Sequence, residues 1–228
     1  MTKSEAEFLN FYAGKDPVHL YPTEFVIRAF LGAYPNLKLD KASYKNSRIL
    51  DLGYGDGRNM PLMHNLGFKI SGIEISEQLN ELVIKRLHQM GIRADLRHGT
   101  NRHIPFEDDF FDYVLACHAC YYVEEGSRFT DNLKEISRVS RSGAMLIASL
   151  PKPDTYILKD SVAVDDGHYR ITHDPFGLRS GVILRAFHDE DEIRKEFSPF
   201  YENLSIGHCD DNYWGIHQKL WIIAGSRK

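Results

Sequence analysis

The chain has 228 residues, 43% of them hydrophobic and 26% charged, which suits one soluble globular domain with a substantial core. A net charge of −4 and the lack of a long Lys/Arg run argue against a broad phosphate-neutralising surface, and so against nucleic acid as the partner. Three cysteines do not make a disulfide framework, the N-terminus M-T-K-S-E-A-E is polar, and no apolar run approaches 18 residues. The expectation is a cytoplasmic protein with no membrane span.

In chain order, residues 1–22 interleave aromatics with turn residues, ending at Tyr21-Pro22. Thr23 can cap a helix whose apolar face is Phe25, Val26, Ala29 and Phe30, running to about Tyr34. Residues 35–46 read as a polar linker. Arg48-Ile49-Leu50 is a β-prone run ended by Asp51, and Gly53, Gly55 and Gly57 follow at every second position. Met60, Met63 and Leu66 then share a helical face. Strand, glycine turn, helix is a site for a nucleotide-like ligand, because glycine permits φ > 0 and close backbone approach.

Gly67 stops that helix, and Phe68–Ile73 is expected as the second strand, closed by Glu74. This carboxylate lies about 20 residues past the glycines, where it can accept from both hydroxyls of a ribose. Ser76 caps a helix with Leu79, Leu82, Val83, Leu87 and Met90 inward, closed by Gly91. A third strand is expected near Ile92–His98 and a fourth at Phe111–Ala116. Ser127 is expected to cap the next helix, with Phe129, Leu133, Ile136 and Val139 facing the core. The fifth strand is Ala144–Leu150, broken by Pro151. Residues 151–186 show little periodicity, and an insertion of that length is usually functional or disordered. Asp189 and Glu192 read as a capping box, and Leu204–Cys209 and Lys219–Ala224 as the last two strands.

The spacing G-x-G-x-G differs from the G-x-G-x-x-G of dinucleotide sites, and Asp51 beside it would repel a pyrophosphate. Asp51-Leu52-Gly53-Tyr54-Gly55-Asp56-Gly57 resembles motif I of the class I S-adenosylmethionine-dependent methyltransferases, D/E-x-G-x-G-x-G, at every fixed position. The resemblance covers residues 45–150 most clearly. It implies an α/β fold: a Rossmann-like, seven-stranded, mostly parallel sheet with helices on both faces, an N-terminal helical lid and an insertion after the fifth strand. Residues 1–46 would be the lid and its helix, and 47–228 a single-domain core with 151–186 on the substrate side.

The same resemblance implies S-adenosylmethionine as cofactor and S-adenosylhomocysteine as product. Asp51, Gly53, Tyr54, Gly55 and Gly57 would hold the amino-acid end, Glu74 and Ile75 the ribose. The G-T-N-R-H-I-P-F-E-D-D-F-F-D segment resembles the family's G-D-A…L-P-F…F-D. With Thr100 at the Asp position, the adenine contact is expected to weaken or shift to Asn101. Residues past the fourth strand, from Cys117 and His118, would floor the site beside the transferred methyl. His118 is the first choice of base, ahead of His173 and His168 in the insertion. Tyr12, Tyr21, Tyr121, Tyr122, Tyr213 and Trp214 are expected around the acceptor.

Cys117-His118-Ala119-Cys120 also matches C-x-x-C, but only His208-Cys209 could complete a metal site, and no metal is expected. The function expected is methyl transfer to an O or N of a small-molecule acceptor, by a monomer or homodimer. Two alternatives stand beside it: a non-catalytic S-adenosylmethionine-binding protein, and a nucleic-acid or tRNA methyltransferase. Against the latter stand the charge and the lack of a [D/N/S]-P-P-[Y/F/W] motif after the fourth strand. A nicotinamide oxidoreductase conflicts with the glycine spacing.

Overall fold

A computed structural model describes residues 3–14 and 20–228. Its centre is a seven-stranded sheet in the order β10-β11-β6-β4-β1-β2-β3. The strands are β1 (Arg48–Leu52), β2 (Lys69–Glu74), β3 (Ala94–His98), β4 (Phe111–Ala116), β6 (Ser140–Pro151), β10 (Tyr201–Tyr213) and β11 (Ile216–Arg227). The pairs from β6 through β4, β1 and β2 to β3 are parallel, while β11 runs antiparallel to β6 and β10 to β11. A parallel strand covered on both faces is apolar at nearly every position, which explains why β1 reads R-I-L-D-L without alternation.

Alternation still decides which face each side chain enters. Leu50, Leu52, Val114, Ala116, Leu146 and Ala148 join the core on one face, packed by α5 (Phe129–Val139) and α6 (Glu190–Phe197). Ile49, Tyr113, Leu115 and Ile147 join the other, packed by α2 (Glu24–Leu31), α3 (Met60–Asn65) and α4 (Glu77–Gln89). Leu79, Val83 and Leu87 of α4 are all buried, each worth about 1.5–3 kcal/mol of apolar transfer. The polar linker is anchored as well: Tyr44 packs between Phe30, Phe68 and Tyr113.

The insertion is ordered despite its weak periodicity. It forms β7 (Ser161–Asp165), β8 (His168–Ile171) and β9 (Ile183–Arg185), and these join β5 (Tyr122–Val123) in a second, antiparallel sheet ordered β5-β9-β8-β7. Hairpin pairing there is set by backbone hydrogen bonds and the turn at Asp166-Gly167, so periodicity was a poor guide. Near the N-terminus, α1 spans Lys3–Ala13.

Several caps differ in detail. Thr23 is the N-cap of α2 without a side-chain cap bond, because its hydroxyl accepts from Cys117 Sγ at 3.4 Å. Arg128, not Ser127, is the N-cap of α5, and its N–H donates to Asp131 at 2.9 Å. Asp189 accepts from Glu192 N, but the Glu192 carboxylate accepts from the N–H of His188 rather than closing a box on Asp189. Among the described residues no helix is long and apolar enough to cross a membrane.

Candidate active site

The glycine loop follows β1. Gly53, Gly55 and Gly57 take φ of 62°, 58° and 76°, the left-handed region that glycine enters without steric cost. Space is equally decisive. A Cβ on Gly53 would lie 2.8 Å from Ala119 Cβ, on Gly55 2.7 Å from Tyr12 Cζ, and on Gly57 2.7 Å from Val83 Cγ1. The loop is therefore pressed by the segment after β4, by α1 and by α4. At Gly55 the sequence suggested a ligand against the backbone, and the neighbour found there is the ring of Tyr12.

Glu74 ends β2 and holds the loop. It accepts from Gly55 N at 2.9 Å and Ile75 N at 2.8 Å. Burial raises its pKa while those two bonds oppose the rise. Asp51 is fully buried, and among the described residues neither carboxylate oxygen has a hydrogen-bond partner. Burial, then Glu74 and Asp56, push its pKa well above the usual carboxylate range. Asp56 itself is bound by Arg58 Nε at 2.9 Å and Nη2 at 2.6 Å. Partly unpartnered carboxyl groups under a glycine loop can accept from a cationic ligand and offer no donor to a phosphate.

A cavity of about 740 Å³ opens over this loop, within the usual range for small-molecule sites. Gly53, Tyr54, Glu74, Ile75, Thr100, Asn101 and Cys117 line it, as do Tyr12, His118, Tyr121 and Tyr122. Asp51, Gly55 and Gly57 sit behind that wall. The amide nitrogen of Asn101 donates to Ala119 O at 2.9 Å and Tyr122 O at 3.0 Å, so it braces the turn after β4. Thr100 Oγ1 accepts from Arg102 N at 3.3 Å. Tyr54 donates from beneath to Asn80.

His118 follows β4 directly and has φ of 56°, a backbone state that non-glycine residues occupy at a cost. Its N–H donates to Ser149 Oγ at 2.9 Å, and its Nδ1 lies 3.3 Å from the same oxygen. Its ring meets Phe25 edge-on at 5.7 Å. Burial, then Arg179 and Arg58, lower its pKa to about 4, so the ring is neutral at pH 7 and able to accept a proton. Cys117 and Cys120 are free thiols, each pushed up to about 12 by burial. Among the described residues no three His, Cys, Asp or Glu are gathered to hold a metal ion.

Five further positions of interest fall elsewhere. His168 is buried in the β7–β8 hairpin, with Nδ1 2.5 Å from Asp165 Oδ1. His173 is exposed and absent from the cavity wall. Tyr21 is 73% exposed, and Tyr213 and Trp214 turn the β10–β11 hairpin at 54% and 97% exposure. Neither residue of the hairpin tip lines the cavity, although Gln218 and Leu220 of β11 do. In their place the insertion supplies Tyr156, Phe176 and Arg179, and α1 supplies Phe8 and Phe11. The run D-P-F-G-L-R, a turn signal ending in an unpaired-looking arginine, was the available sequence sign.

Comparison with known proteins agrees with this geometry. Residues 50–148 match the family described as methyltransferase domain. The sterol 4-C-methyltransferase strm-1 of Caenorhabditis elegans is 30% identical over 196 residues, covering 79% of this chain and 54% of that protein. A ubiquinone biosynthesis O-methyltransferase of Dinoroseobacter shibae is 26% identical over 183 residues, covering 79% and 68%. Against strm-1 and two other curated relatives, this chain spans about half the relative's length. An S-adenosylmethionine-dependent methyltransferase structure from Methanosarcina mazei superposes with a TM-score of 0.64 at 18% identity, covering 85% of this chain and 98% of that one. Residues 50–148 therefore match a methyltransferase domain, and the chain shares its fold with a solved S-adenosylmethionine-dependent methyltransferase.

Proposed function

We propose that this chain transfers the methyl group of S-adenosylmethionine to an oxygen or nitrogen of a small-molecule acceptor. The observation that carries the reading is that one cavity joins the glycine loop and Glu74 to His118 and an aromatic wall. The residues fit the cofactor: Asp51 is a buried carboxylate without a hydrogen-bond partner among the described residues, and Glu74 faces the cavity at the end of β2. When bound, the cofactor supplies an electrophilic sulfonium methyl.

In this reading Asp51, Gly53, Tyr54, Gly55, Gly57, Glu74, Ile75, Thr100, Asn101 and Cys117 form or support the cofactor end. Helix α1 acts as the lid through Tyr12, and residues 151–186 build the acceptor wall. His118 takes the acceptor proton at a ring nitrogen, its ring oriented by Ser149 and Phe25. A pKa of about 4 makes it a weak base, so positioning carries more of the rate than proton abstraction. Relatives are named for C- and O-methylation, and the O or N acceptor is inferred from the histidine beside the cavity. The net charge of −4 fits a cytoplasmic enzyme acting on a small molecule rather than on nucleic acid.

The test is turnover: the protein is incubated with S-adenosylmethionine and a metabolite extract, and S-adenosylhomocysteine is followed by mass spectrometry. Release above the extract-only control, lost in Gly55→Val, is the expected result. Cofactor binding without release would favour the non-catalytic binder.

A further inference from the structure

The acceptor side of the cavity carries a buried, pre-positioned guanidinium. Arg179 lines the wall with only 14% of its side chain exposed, and Asp174 behind it has 0%. Asp174 accepts from Arg179 Nε at 2.9 Å and Nη2 at 3.0 Å, and also from the backbone N–H groups of Phe176, Leu178 and Arg179. Arg179 Nη2 further donates to Tyr156 OH at 3.1 Å. The guanidinium lies 5.8 Å from the ring centres of both Tyr156 and Phe176.

This is more than a tie for the turn. Asp174 already secures the turn through three backbone bonds, which need no arginine side chain. Burying a guanidinium is expensive, and surface arginines avoid it by reaching water. Here it is held on one edge by Asp174, and its remaining neighbours are the hydroxyls of Tyr156 and Tyr122, neutral groups that leave its charge directed at the cavity. The charges around the cavity point the same way. Its wall holds two arginines, Arg58 and Arg179, and three acids, Asp56, Glu74 and Glu124. Asp56 is taken by Arg58, Glu74 by two backbone N–H groups, and Glu124 is exposed. Arg179 also lowers the pKa of His118, a sign of a positive field reaching the middle of the cavity.

The surroundings are flat and aromatic. Tyr121 and Tyr122 stack at 5.2 Å with planes 21° apart, Tyr156 meets Phe176 edge-on at 6.2 Å, and Phe176 meets Phe11 of α1 at 6.4 Å. We propose that Arg179 is a specificity-determining residue, and that the acceptor is an aromatic small molecule bearing a carboxylate, which pairs with Arg179 while its ring lies among Tyr121, Tyr122, Tyr156 and Phe176. Charge-assisted bonds to a largely buried arginine select for an anion over its neutral isostere. The inference rests on the methyltransferase reading for the cavity's second occupant.

The experiment compares 4-hydroxybenzoate with 4-hydroxybenzamide, two rings of one shape that differ in charge. Calorimetry first measures S-adenosylhomocysteine binding to the wild type, to Arg179→Lys, and to Asp174→Asn/Arg179→Gln, which replaces the ion pair by an amide pair. Each cofactor-loaded protein is then titrated with both probes. The expected result is at least tenfold tighter binding of the carboxylate by the wild type, weakened by added salt. That preference should shrink in Arg179→Lys and vanish in the amide pair, with S-adenosylhomocysteine affinity within twofold throughout. A wild type that binds S-adenosylhomocysteine but shows no carboxylate preference, whether through equal or absent probe binding, overturns the proposal. So does a preference that survives in the amide pair. A wild type that fails to bind S-adenosylhomocysteine overturns the methyltransferase reading instead.

Discussion

Glu74 reaches across from the end of β2 to accept the backbone N–H of Gly55, 19 residues earlier, at 2.9 Å. One carboxylate thus fixes the glycine loop and faces the cavity, and the two roles can be separated. Glu74→Ala leaves the buried N–H of Gly55 and the part-buried N–H of Ile75 without their acceptor, costing about 1–3 kcal/mol of stability for each. S-adenosylhomocysteine affinity should fall at least tenfold. Glu74→Gln keeps one acceptor oxygen and should recover stability more than affinity. Thermal melts and calorimetry on both variants read the two effects. Unchanged affinity in Glu74→Ala would remove Glu74 from the ribose site.

Gly55 combines a φ of 58° with the Tyr12 ring 2.7 Å from where a Cβ would stand. Gly55→Val should stay folded, losing about 1–2 kcal/mol to the left-handed backbone. It should also dislodge α1 and abolish cofactor binding. Hydrogen exchange over residues 3–13 would report the helix and calorimetry the binding. A variant that fails to fold would make the glycine structural.

His118→Asn is the informative change at the candidate base, because asparagine tolerates positive φ. It should lower kcat far more than cofactor affinity. The pH dependence follows from the depressed pKa. The unfolded chain takes up a proton near 6.5, and the folded ring only near 4. Stability from this group is therefore full above pH 6.5 and declines as pH falls toward about 4. The wild type should lose more stability than His118→Asn across that window in denaturant titrations.

Asp174 is held below the usual carboxylate range: burial pushes its pKa up, but Arg179 and the backbone donors outweigh it. Asp174→Asn leaves Arg179 as an uncompensated buried charge, a change worth about 3–5 kcal/mol in comparable pairs. A drop in thermal midpoint, largely reversed in Asp174→Asn/Arg179→Gln, is expected. An equal drop in both would assign the loss to the backbone bonds of Asp174.

The parallel half of the fold was legible because its signals are local. Ile49, Leu50 and Leu52 before three alternate glycines, Glu74 at a strand end, and Ser76 as cap each carry their reason within a few residues. The acceptor side was less legible. Tyr156, Phe176 and Arg179 meet only because β7–β9 fold back on β5, a long-range pairing with no periodicity to announce it. Tyr213 and Trp214 differ for a related reason: aromatic character alone does not mark a pocket, and these two turn the β10–β11 hairpin exposed and off the cavity wall. Asn101 kept its place, but its amide donors are engaged with Ala119 and Tyr122, bonds that sequence spacing cannot reveal.

The short strand β5 belongs to the core by position in the chain and to the insertion by pairing, through Tyr122↔Leu184 and Val123↔Ile183. The cavity wall they build together is therefore not a removable module. Replacing residues 152–186 would take away the strand that pairs with Tyr122 and Val123, only four residues from His118. For anyone redesigning acceptor choice, or tracing how it diversified, the heritable unit is the pair of segments together. Changes in one constrain which changes the other can accept.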